Sequence, residues 1–252
     1  MHTIRLIDVR TRTSNEVIAQ ERIHPLADLY LLRSPEPQAL DLALYLEQCC
    51  ALVINTYAST LLCQDRVQMT QYMQKACLPW PITWSFLTLG HLLTCDELFA
   101  VLSFPVIIKS HYNHRGELVD KIDTIDQLRK LGVLWNKEPI ILQKFLPNDG
   151  WDIKLWVIDQ QVFAARRRTT LEAGVPKKDF PFAKSEIPYE WIRIALEVGR
   201  SFDLRIYGID LVITEQGPVA VDVNAFPNFQ GVPSATNALV ALVEDLSRRM
   251  II

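Results

Sequence analysis

The sequence predicts an α+β fold on three observations. Strand-like and helix-like stretches alternate early in the chain, in a β-α-β unit at 28–32, 38–48 and 51–54. Further along, two pairs of apolar stretches are joined by short polar connections, which is typical of antiparallel strands. With 252 residues, of which 49% are hydrophobic, the chain is long enough to bury the core that such layers need.

Composition narrows the class of protein. A formal net charge of −3 gives no general attraction for nucleic acid or for an anionic membrane. The arginine-rich stretch 1–12 lacks the apolar run of a signal peptide, and no later stretch is long enough to span a membrane. We therefore expect a cytoplasmic protein with neither a nucleic-acid nor a membrane partner.

The cysteines point the same way. Their number is odd and none forms a C-x-x-C pair, which suits a reducing compartment and predicts buried free thiols. The five are Cys49, Cys50, Cys63, Cys77 and Cys95.

The middle of the chain predicts a helix followed by a small α+β lobe. A helical pattern runs over 64–76, and Pro79 and Pro81 prevent its continuation. The stretch FPVIIK then reads as a buried strand that ends in Lys109. The rest of this lobe is a strand at 118–122 and a helix at 125–131.

The last third predicts a second, larger lobe. An amphipathic helix at 189–202 has its apolar residues spaced to form one inner stripe. The strands predicted around this helix are 139–145, 152–158, 162–168, 206–213 and 219–224.

The final strand carries polar residues on a defined face. Because side chains two apart in a strand point the same way, Val219, Val221 and Val223 are predicted on one face. Asp222 and Asn224 are then together on the other face.

The neighbouring strand adds a second carboxylate. If Thr214 faces Pro218, counting back along both strands places Asp210 opposite Asp222. Opposed side chains have Cβ atoms about 5 Å apart, and two like charges at that distance repel unless a cation lies between them. Two carboxylates and the amide of Asn224 form an all-oxygen set, which suits Mg²⁺ better than zinc.

The motif in which these residues lie resembles a known family, the ATP-grasp enzymes, and most closely their RimK-like branch of ribosomal-protein glutamate ligases. The string YGIDLVITEQGPVAVDVNAFPNFQGVPSAT at 207–236 is similar to the closing metal motif of that branch. The linker INTYASTLLCQDRVQMTQYMQKACLPWPIT at 54–83 is similar to the family's linker with Asn, Asp-Lys and a Pro-x-Pro ending. FPVIIK and IILQKFLPNDGWDIKLWVIDQQVFAARRR extend the resemblance to about three-quarters of the chain.

The resemblance implies an ATP-grasp fold in which two α+β lobes hold ATP between them. Its units would be an N-terminal β-α-β domain at 1–62, a linker helix and small lid lobe at 63–138, and a C-terminal lobe with the metal site at 139–252. The first unit is short for the family, so we leave open a further segment, a partner subunit or a homodimer.

The resemblance also implies roles for individual residues. Lys109 would reach the nucleotide phosphates, and Arg168 would lie near the phosphates or the acidic substrate. Asp210, Asp222 and Asn224 would bind magnesium, as two ions, with Mn²⁺ as an alternative metal. The remaining contacts to ATP would come from Gln143, Lys144, Phe145, Asp152 and Lys154.

Elementary geometry bears on the arginine assignment. Arg166 and Arg168 share one face of their strand while Arg167 takes the other, and of these Arg168 is the residue we predict at the site.

The segment after Lys109 contains one glycine, whereas the family covers ATP with a glycine-rich hairpin. His111, His114 and Arg115 could supply side-chain contacts in its place.

The implied function is an ATP-dependent carboxylate–amine ligase, which forms an amide through an acyl phosphate from a small-molecule or peptide acid and an amine. An alternative is a kinase of an inositol phosphate, because DVNAFPNFQGV is also similar to inositol polyphosphate kinases of this fold. His114, Lys177 and Lys178 would then hold the phosphorylated alcohol. A second alternative is a nucleotide-binding protein without turnover.

Overall fold

The computed structural model describes residues 4–7, 27–95, 97, 102–112, 118–169 and 178–249 of the protein. Within these ranges the strands form one parallel sheet of three strands and two antiparallel sheets of four and five strands. Helices pack on all three sheets, which confirms the α+β class.

The N-terminal unit is the predicted β-α-β arrangement with one strand added. It consists of β1 (Ile4–Ile7), β2 (Leu29–Leu32), α1 (Pro37–Gln48) and β3 (Leu52–Ile54), with the strands in that order. β1 lies within the arginine-rich 1–12 stretch and is not among the predicted strands. One face of the sheet packs on the apolar side of α1.

The other face of this sheet packs on the C-terminal lobe. Leu29, Leu31 and Ile54 share a core with Ile158 and Phe226, among other residues. Because the two units bury apolar surface against each other, the N-terminal unit is docked onto the C-terminal lobe.

Two helices link this unit to the next, where the sequence predicts one at 64–76. They are α2 (Tyr57–Leu62) and α3 (Arg66–Lys75). Asp65 separates them because its carboxylate accepts hydrogen bonds from the backbone N–H groups of Val67 and Gln68, both at 2.9 Å, and so caps α3.

The four-stranded sheet forms the small lobe. Its strands are β4 (Thr83–Phe86), β5 (Val106–Ser110), β6 (Val119–Ile122) and β7 (Ile140–Lys144), in the order β4-β7-β5-β6. Short helices α4 (Leu89–Leu93) and α5 (Ile125–Arg129) and the 3-10 turn Val133–Asn136 complete it.

The placement of β7 corrects one expectation. The predicted boundary at residue 139 assigns this strand to the C-terminal lobe, but β7 pairs with both β4 and β5 of the small sheet. The reason is that β7 lies between β4 and β5, so that both of its edges are hydrogen-bonded within the small sheet. The sequence analysis did not predict β4.

The five-stranded sheet forms the large lobe. Its strands are β8 (Trp151–Ile158), β9 (Gln161–Arg168), β10 (Asp179–Pro181), β11 (Ile206–Thr214) and β12 (Gly217–Ala225). They lie in the order β10-β9-β8-β11-β12. Helix α6 (Tyr189–Phe202) has the predicted bounds, and α7 (Ala235–Arg249) follows the last strand.

Helix α6 covers one face of the large sheet. Ile194, Ala195 and Val198 of the helix lie in one core with Ile153 and Leu155 of β8. The opposite face of the sheet carries the even-numbered residues of β8, of which Ile158 packs against the N-terminal unit while Asp152 and Lys154 are turned toward the small lobe. Among the described residues, no helix is long and apolar enough to cross a membrane.

Candidate active site

A row of charged side chains crosses the face of the large sheet that is turned away from α6. The strand register places Asp152 beside Arg167 and Lys154 beside Asp210, and Asp210 in turn lies opposite Asp222. Alternation along β8 and β11 explains why Asp152, Lys154 and Asp210 share one face, since the residues next to them, Ile153, Leu155, Ile209 and Leu211, are in the core.

A β-bulge brings the two carboxylates opposite each other. Thr214 pairs with Gly217, one residue away from the Pro218 assumed in the sequence analysis. The register then shifts between Asp210 and Leu211, so that β12 gains one extra residue and Asp210 pairs with Asp222 after all. The predicted opposition of the carboxylates is confirmed, although the assumed turn register is not.

The bulge also corrects the predicted apolar face of β12. Ala220 and Val223 are fully buried in the core beneath α6, whereas Val221 lines the opposite, polar side together with Asp222. The predicted alternation of Val219, Val221 and Val223 fails because an extra residue in a strand inverts the facing of every residue beyond it.

Lys109 reaches this row from the small lobe. Its side chain is 8% exposed, and Nζ donates a hydrogen bond of 3.0 Å to the carbonyl of Val221 at the bulge. Burial lowers the pKa of Lys109 to about 8, although Asp222, Asp210 and Asp152 act to raise it. The cation therefore bridges the two lobes above the carboxylates.

The two carboxylates differ in their partners. Lys154 Nζ lies 2.6 Å from Asp210 Oδ1 and forms an ion pair with it. Asp222 Oδ1 is buried and accepts no hydrogen bond from any residue that the structure describes. A buried carboxylate oxygen without a donor is costly, so this atom is a place where a cation would be stabilised.

The predicted metal set fits a hard cation. Asp210, Asp222 and Asn224 all line the same cleft, and carboxylate and amide oxygens are ligands that Mg²⁺ accepts. In the described part of the chain, no three His, Cys, Asp or Glu side chains form a cluster that could hold a metal ion by themselves. A magnesium ion here would thus need phosphate or water oxygens to complete its octahedron.

Both lobes contribute to the cleft, which has a volume of about 400 Å³. Every predicted site residue except Arg168 lines it. The predicted residues in the lining are Lys109, Gln143, Lys144, Phe145, Asp152, Lys154, Asp210, Asp222 and Asn224.

Arg167 occupies the cleft where the sequence analysis preferred Arg168. Its Nε and Nη2 donate to the two carboxylate oxygens of Asp179 at 2.5 and 2.7 Å, and this pairing raises the pKa of Arg167. The guanidinium of Arg168 lies instead over the ring of Trp151, at 4.4 Å from its centroid, and is exposed. The alternation of side chains along β9 decides which arginine faces the cleft, because Arg167 pairs with Asp152 of the cleft face.

A family model described as the RimK-like ATP-grasp domain matches residues 60–246, which is most of the chain. The chain belongs to the RimK-like ATP-grasp family. This confirms the resemblance seen in the sequence motifs.

Curated relatives are more distant in sequence. A probable alpha-L-glutamate ligase of Legionella pneumophila (strain Corby) is 24% identical over 184 residues, which are 71% of this chain and 60% of that protein. Another from Shewanella halifaxensis is 24% identical over 213 residues, 79% of this chain and 45% of that protein. The chain therefore spans less than two thirds of the length of these relatives.

Solved structures confirm the ATP-grasp fold. A RimK domain ATP-grasp protein from Sphaerobacter thermophilus superposes with a TM-score of 0.72 at 17% identity, over 96% of this chain and 98% of that one. The D-alanine–D-alanine ligase of Bacillus anthracis, complexed with ATP, has a TM-score of 0.73 at 17% identity, over 99% and 98% of the two chains.

Arg66 is a cleft residue of this RimK-like protein that the sequence analysis did not select. Its side chain is 3% exposed, and Nη1 donates to the carbonyls of Ser110 at 2.8 Å and Tyr112 at 2.9 Å. A signal was present, because Arg66 follows Asp65 in the linker where the resemblance has Asp-Lys.

His111 is not directed at the cleft. Its Nε2 lies 2.8 Å from Asp65 Oδ1, and its ring stacks on Tyr112. The other two side chains considered for the cover of ATP, His114 and Arg115, fall outside the described residues, as does Lys177. Lys178 lies over the ring of Phe180, 5.2 Å from its centroid.

Residues 143–145 lie at the end of β7, where the two lobes meet at the cleft. Gln143 is buried, and its Nε2 donates to Thr83 Oγ1 at 3.1 Å. Phe145 carries the ammonium group of Lys121 over its ring, 4.8 Å from the centroid. Lys144 is exposed, so its charge remains solvated at the rim of the cleft.

The cysteines only partly follow the prediction of buried thiols. All five are free, but Cys63 alone is buried, while Cys49, Cys50 and Cys77 are exposed. Burial raises the pKa of the Cys63 thiol, and the nearby charge of Asp222 raises it further. Cys63 is therefore a neutral thiol beneath the carboxylate row and not a nucleophile.

Proposed function

We propose that the protein is an ATP- and Mg²⁺-dependent carboxylate–amine ligase. The observation that carries the proposal is the meeting of Lys109 from the small lobe with Asp210 and Asp222 from the large lobe in one cleft. Paired carboxylates beside a buried ammonium group match the needs of a metal-bound triphosphate, which is anionic and also binds cations. The curated relatives are named as ligases, which supports the same class.

The proposed reaction has two steps. A carboxylate oxygen of the acid attacks the γ-phosphorus of ATP, the bond from that phosphorus to the β,γ-bridging oxygen breaks, and ADP leaves. The nitrogen of the amine then attacks the carbonyl carbon of the acyl phosphate. The C–O bond to phosphate breaks, and the products are an amide, inorganic phosphate and the proton lost by the amine.

The residues of this chain would act by position and charge. Lys109 and Arg66 hold phosphate oxygens from the small-lobe side, and Lys154 and Arg167 present positive charge on the sheet side. Both catalytic roles predicted from the sequence remain proposals, with Arg167 now taking the place of Arg168. Bound magnesium, held by Asp210, Asp222 and Asn224, would neutralise charge on the phosphates.

The remaining cleft residues suit the nucleoside. Gln143, Lys144 and Phe145 border the cleft at the end of β7, where an adenine would pack against Phe145, and Asp152 is proposed to contact the ribose. The kinase alternative gains no support from the described residues, since Lys178 lies against Phe180 and outside the cleft lining.

Asp222→Ala tests the proposal. We expect ADP release from Mg-ATP, in the presence of acids and amines, to fall on the order of 100-fold or more because a charge-stabilising ligand is lost. The melting temperature should change little, since removal of a buried oxygen that lacks a donor among the described residues opposes the lost attraction between Asp222 and Lys109.

Asp126→Ala is the matched control. Asp126 is an exposed carboxylate paired with Arg129 outside the cleft, and its loss should leave turnover within about twofold. Parental turnover by Asp222→Ala would contradict the proposed site. ATP binding without any ADP release would favour the non-catalytic alternative.

A further inference from the structure

A second pocket adjoins the cleft. It has a volume of about 560 Å³ and lies where β8 and β9 approach the loop that precedes α7. Its walls are largely apolar, with Trp156, Phe163, Ala165, Pro181, Val232 and Pro233 in the lining.

The part of the pocket that borders the cleft lies on the same sheet face as the cleft, while Val162, Ala164 and Ile187 line the rest of it from the core on the α6 side. Lys154 lines the cleft and Trp156 lines the pocket, and these residues are two apart on β8, so their side chains point the same way about 7 Å apart. Ala165, the strand partner of Lys154, belongs to the pocket as well.

An ion pair marks the boundary between the two spaces. Arg167 lines the cleft and Asp179 lines the pocket, and the two are joined by the bidentate contact described above. Asp179 engages Nε and Nη2 of Arg167. A guanidinium group has five N–H donors, so Arg167 can still donate through Nη1 to a carboxylate placed at this boundary.

The chemistry of the pocket disfavours a second charge on the ligand. Among its described lining residues the charged ones are Asp179, which is paired with Arg167, and Lys184, which is exposed to solvent. A carboxylate placed against Trp156 and Phe163 would lose its hydration without gaining a buried partner. An aromatic or branched apolar group has no charge whose hydration would be lost, and it buries apolar surface in the pocket.

From these contacts we infer that the pocket binds an apolar side chain of the acid substrate, with its carboxylate directed at Arg167 and the cleft. The inference rests on the proposed ligase function, and it specifies a class of acid that the names of the glutamate ligase relatives do not suggest. Arg167, oriented by Asp179, is the group that would join the two halves of the substrate site.

The test compares three acids: N-acetyl-L-phenylalanine, N-acetyl-L-leucine and N-acetyl-L-glutamate. Hydroxylamine serves as the amine, and ADP release and hydroxamate formation are measured. We expect kcat/KM for the two apolar acids to exceed that for the glutamate derivative by about tenfold or more, as for an apolar group that fills a matching pocket.

Val232→Lys, which places a cation in the pocket wall, should reduce or reverse this ratio. Val240→Lys is the matched control because Val240 is 51% exposed on α7 and outside the pocket. It should leave the ratio unchanged. Phe163→Ala serves as a second variant that removes apolar surface without adding charge, and it should weaken selection for the apolar acids if Val232→Lys fails to fold.

Binding of the same acids by isothermal titration calorimetry separates the two proposals, since it requires no turnover. Turnover that favours the glutamate derivative, or a ratio unaffected by Val232→Lys and Phe163→Ala, would overturn the inference and leave the ligase function standing. Absence of ADP release with every acid, together with binding of the apolar acids that Val232→Lys abolishes, would instead reject the ligase function and keep the pocket assignment. No detectable binding of the apolar acids overturns the inference.

Discussion

Lys109 is an ammonium group that burial makes expensive to keep charged. The pKa of about 8 reflects this burial, which the carboxylates of Asp222, Asp210 and Asp152 offset only in part. The residue is therefore near its titration point under mildly alkaline conditions, whereas an exposed lysine there remains fully protonated. A bound triphosphate would favour the charged form.

We predict that ATP affinity falls above pH 8. The protonated form of Lys109 is the one that attracts phosphate, so each further pH unit should weaken binding by up to about tenfold until the pKa of the complex is passed. Isothermal titration calorimetry between pH 7 and 9.5 measures the ATP affinity. The Lys109→Arg variant should not show the fall above pH 8, because arginine stays charged.

The stability of the ATP-free protein should change in the opposite direction. The pKa of Lys109 is lower in the folded protein than in the unfolded chain, where it is near 10.5, so the unfolded chain holds more protons between these values. Linkage then makes this residue's contribution more favourable to folding as pH rises through that window. If ATP binding is lost above pH 8 while the contribution of Lys109 to the free energy of unfolding falls over the same pH range, the lowered pKa does not belong to Lys109.

At the scale of single elements, two strands decide which side chains enter the cleft. The bulge in β12 turns Val221 toward the cleft and frees its carbonyl to accept the hydrogen bond from Lys109. In β9, the pairing of Arg167 with Asp152 on β8 selects one arginine out of three consecutive ones. A shift of one residue in either strand would replace the cleft residues by their neighbours.

The consecutive arginines provide a matched test of this facing. Arg167→Ala should lower kcat/KM for ATP-dependent ADP release on the order of 100-fold, since it removes a fixed cation from the cleft. Arg168→Ala should change it by less than about threefold, because its guanidinium lies over Trp151 outside the cleft. Equal effects of the two substitutions would mean that β9 does not select between them as described.

At the scale of the whole molecule, Asn55 joins the N-terminal unit to the large lobe. Its Nδ2 donates to the carbonyl of Ile206 at 2.6 Å, and its Oδ1 accepts from the backbone N–H groups of Arg205 and Ile206 at 2.9 and 3.0 Å. The side chain is 1% exposed. These bonds, with the shared apolar core, hold the linker against the start of β11.

Asn55→Ala should destabilise the fold by about 2–4 kcal/mol, because it leaves buried backbone groups at Arg205 and Ile206 without a partner. Chemical denaturation measures the change. Asn136→Ala is the control, since Asn136 is exposed and accepts a hydrogen bond from Gly90 N, and it should cost less than about 1 kcal/mol. Similar losses for both variants would show that Asn55 does not secure the docking.

Local sequence patterns predicted a large part of this fold. The apolar stripe of the 189–202 helix and the strands around the acidic pair were predictable, because their periodicity is set by neighbours along the chain. Several elements were missed, including β1, β4, β10, α4 and α7. The edge strands β1, β4 and β10 are only three or four residues long and carry too few residues for a period to be recognised.

The sequence by itself identified the family and predicted that Lys109 of β5 and the oxygen-bearing residues of β11 and β12 belong to one site. Each of these predictions rests on residue order along the chain. Tertiary structure alone decided that Arg167 and not Arg168 faces the cleft, that Arg66 joins it, and that an apolar pocket lies beside it. The physical reason is that these features depend on strand register, on a bulge and on the contact between lobes, which are settled by packing between distant parts of the chain.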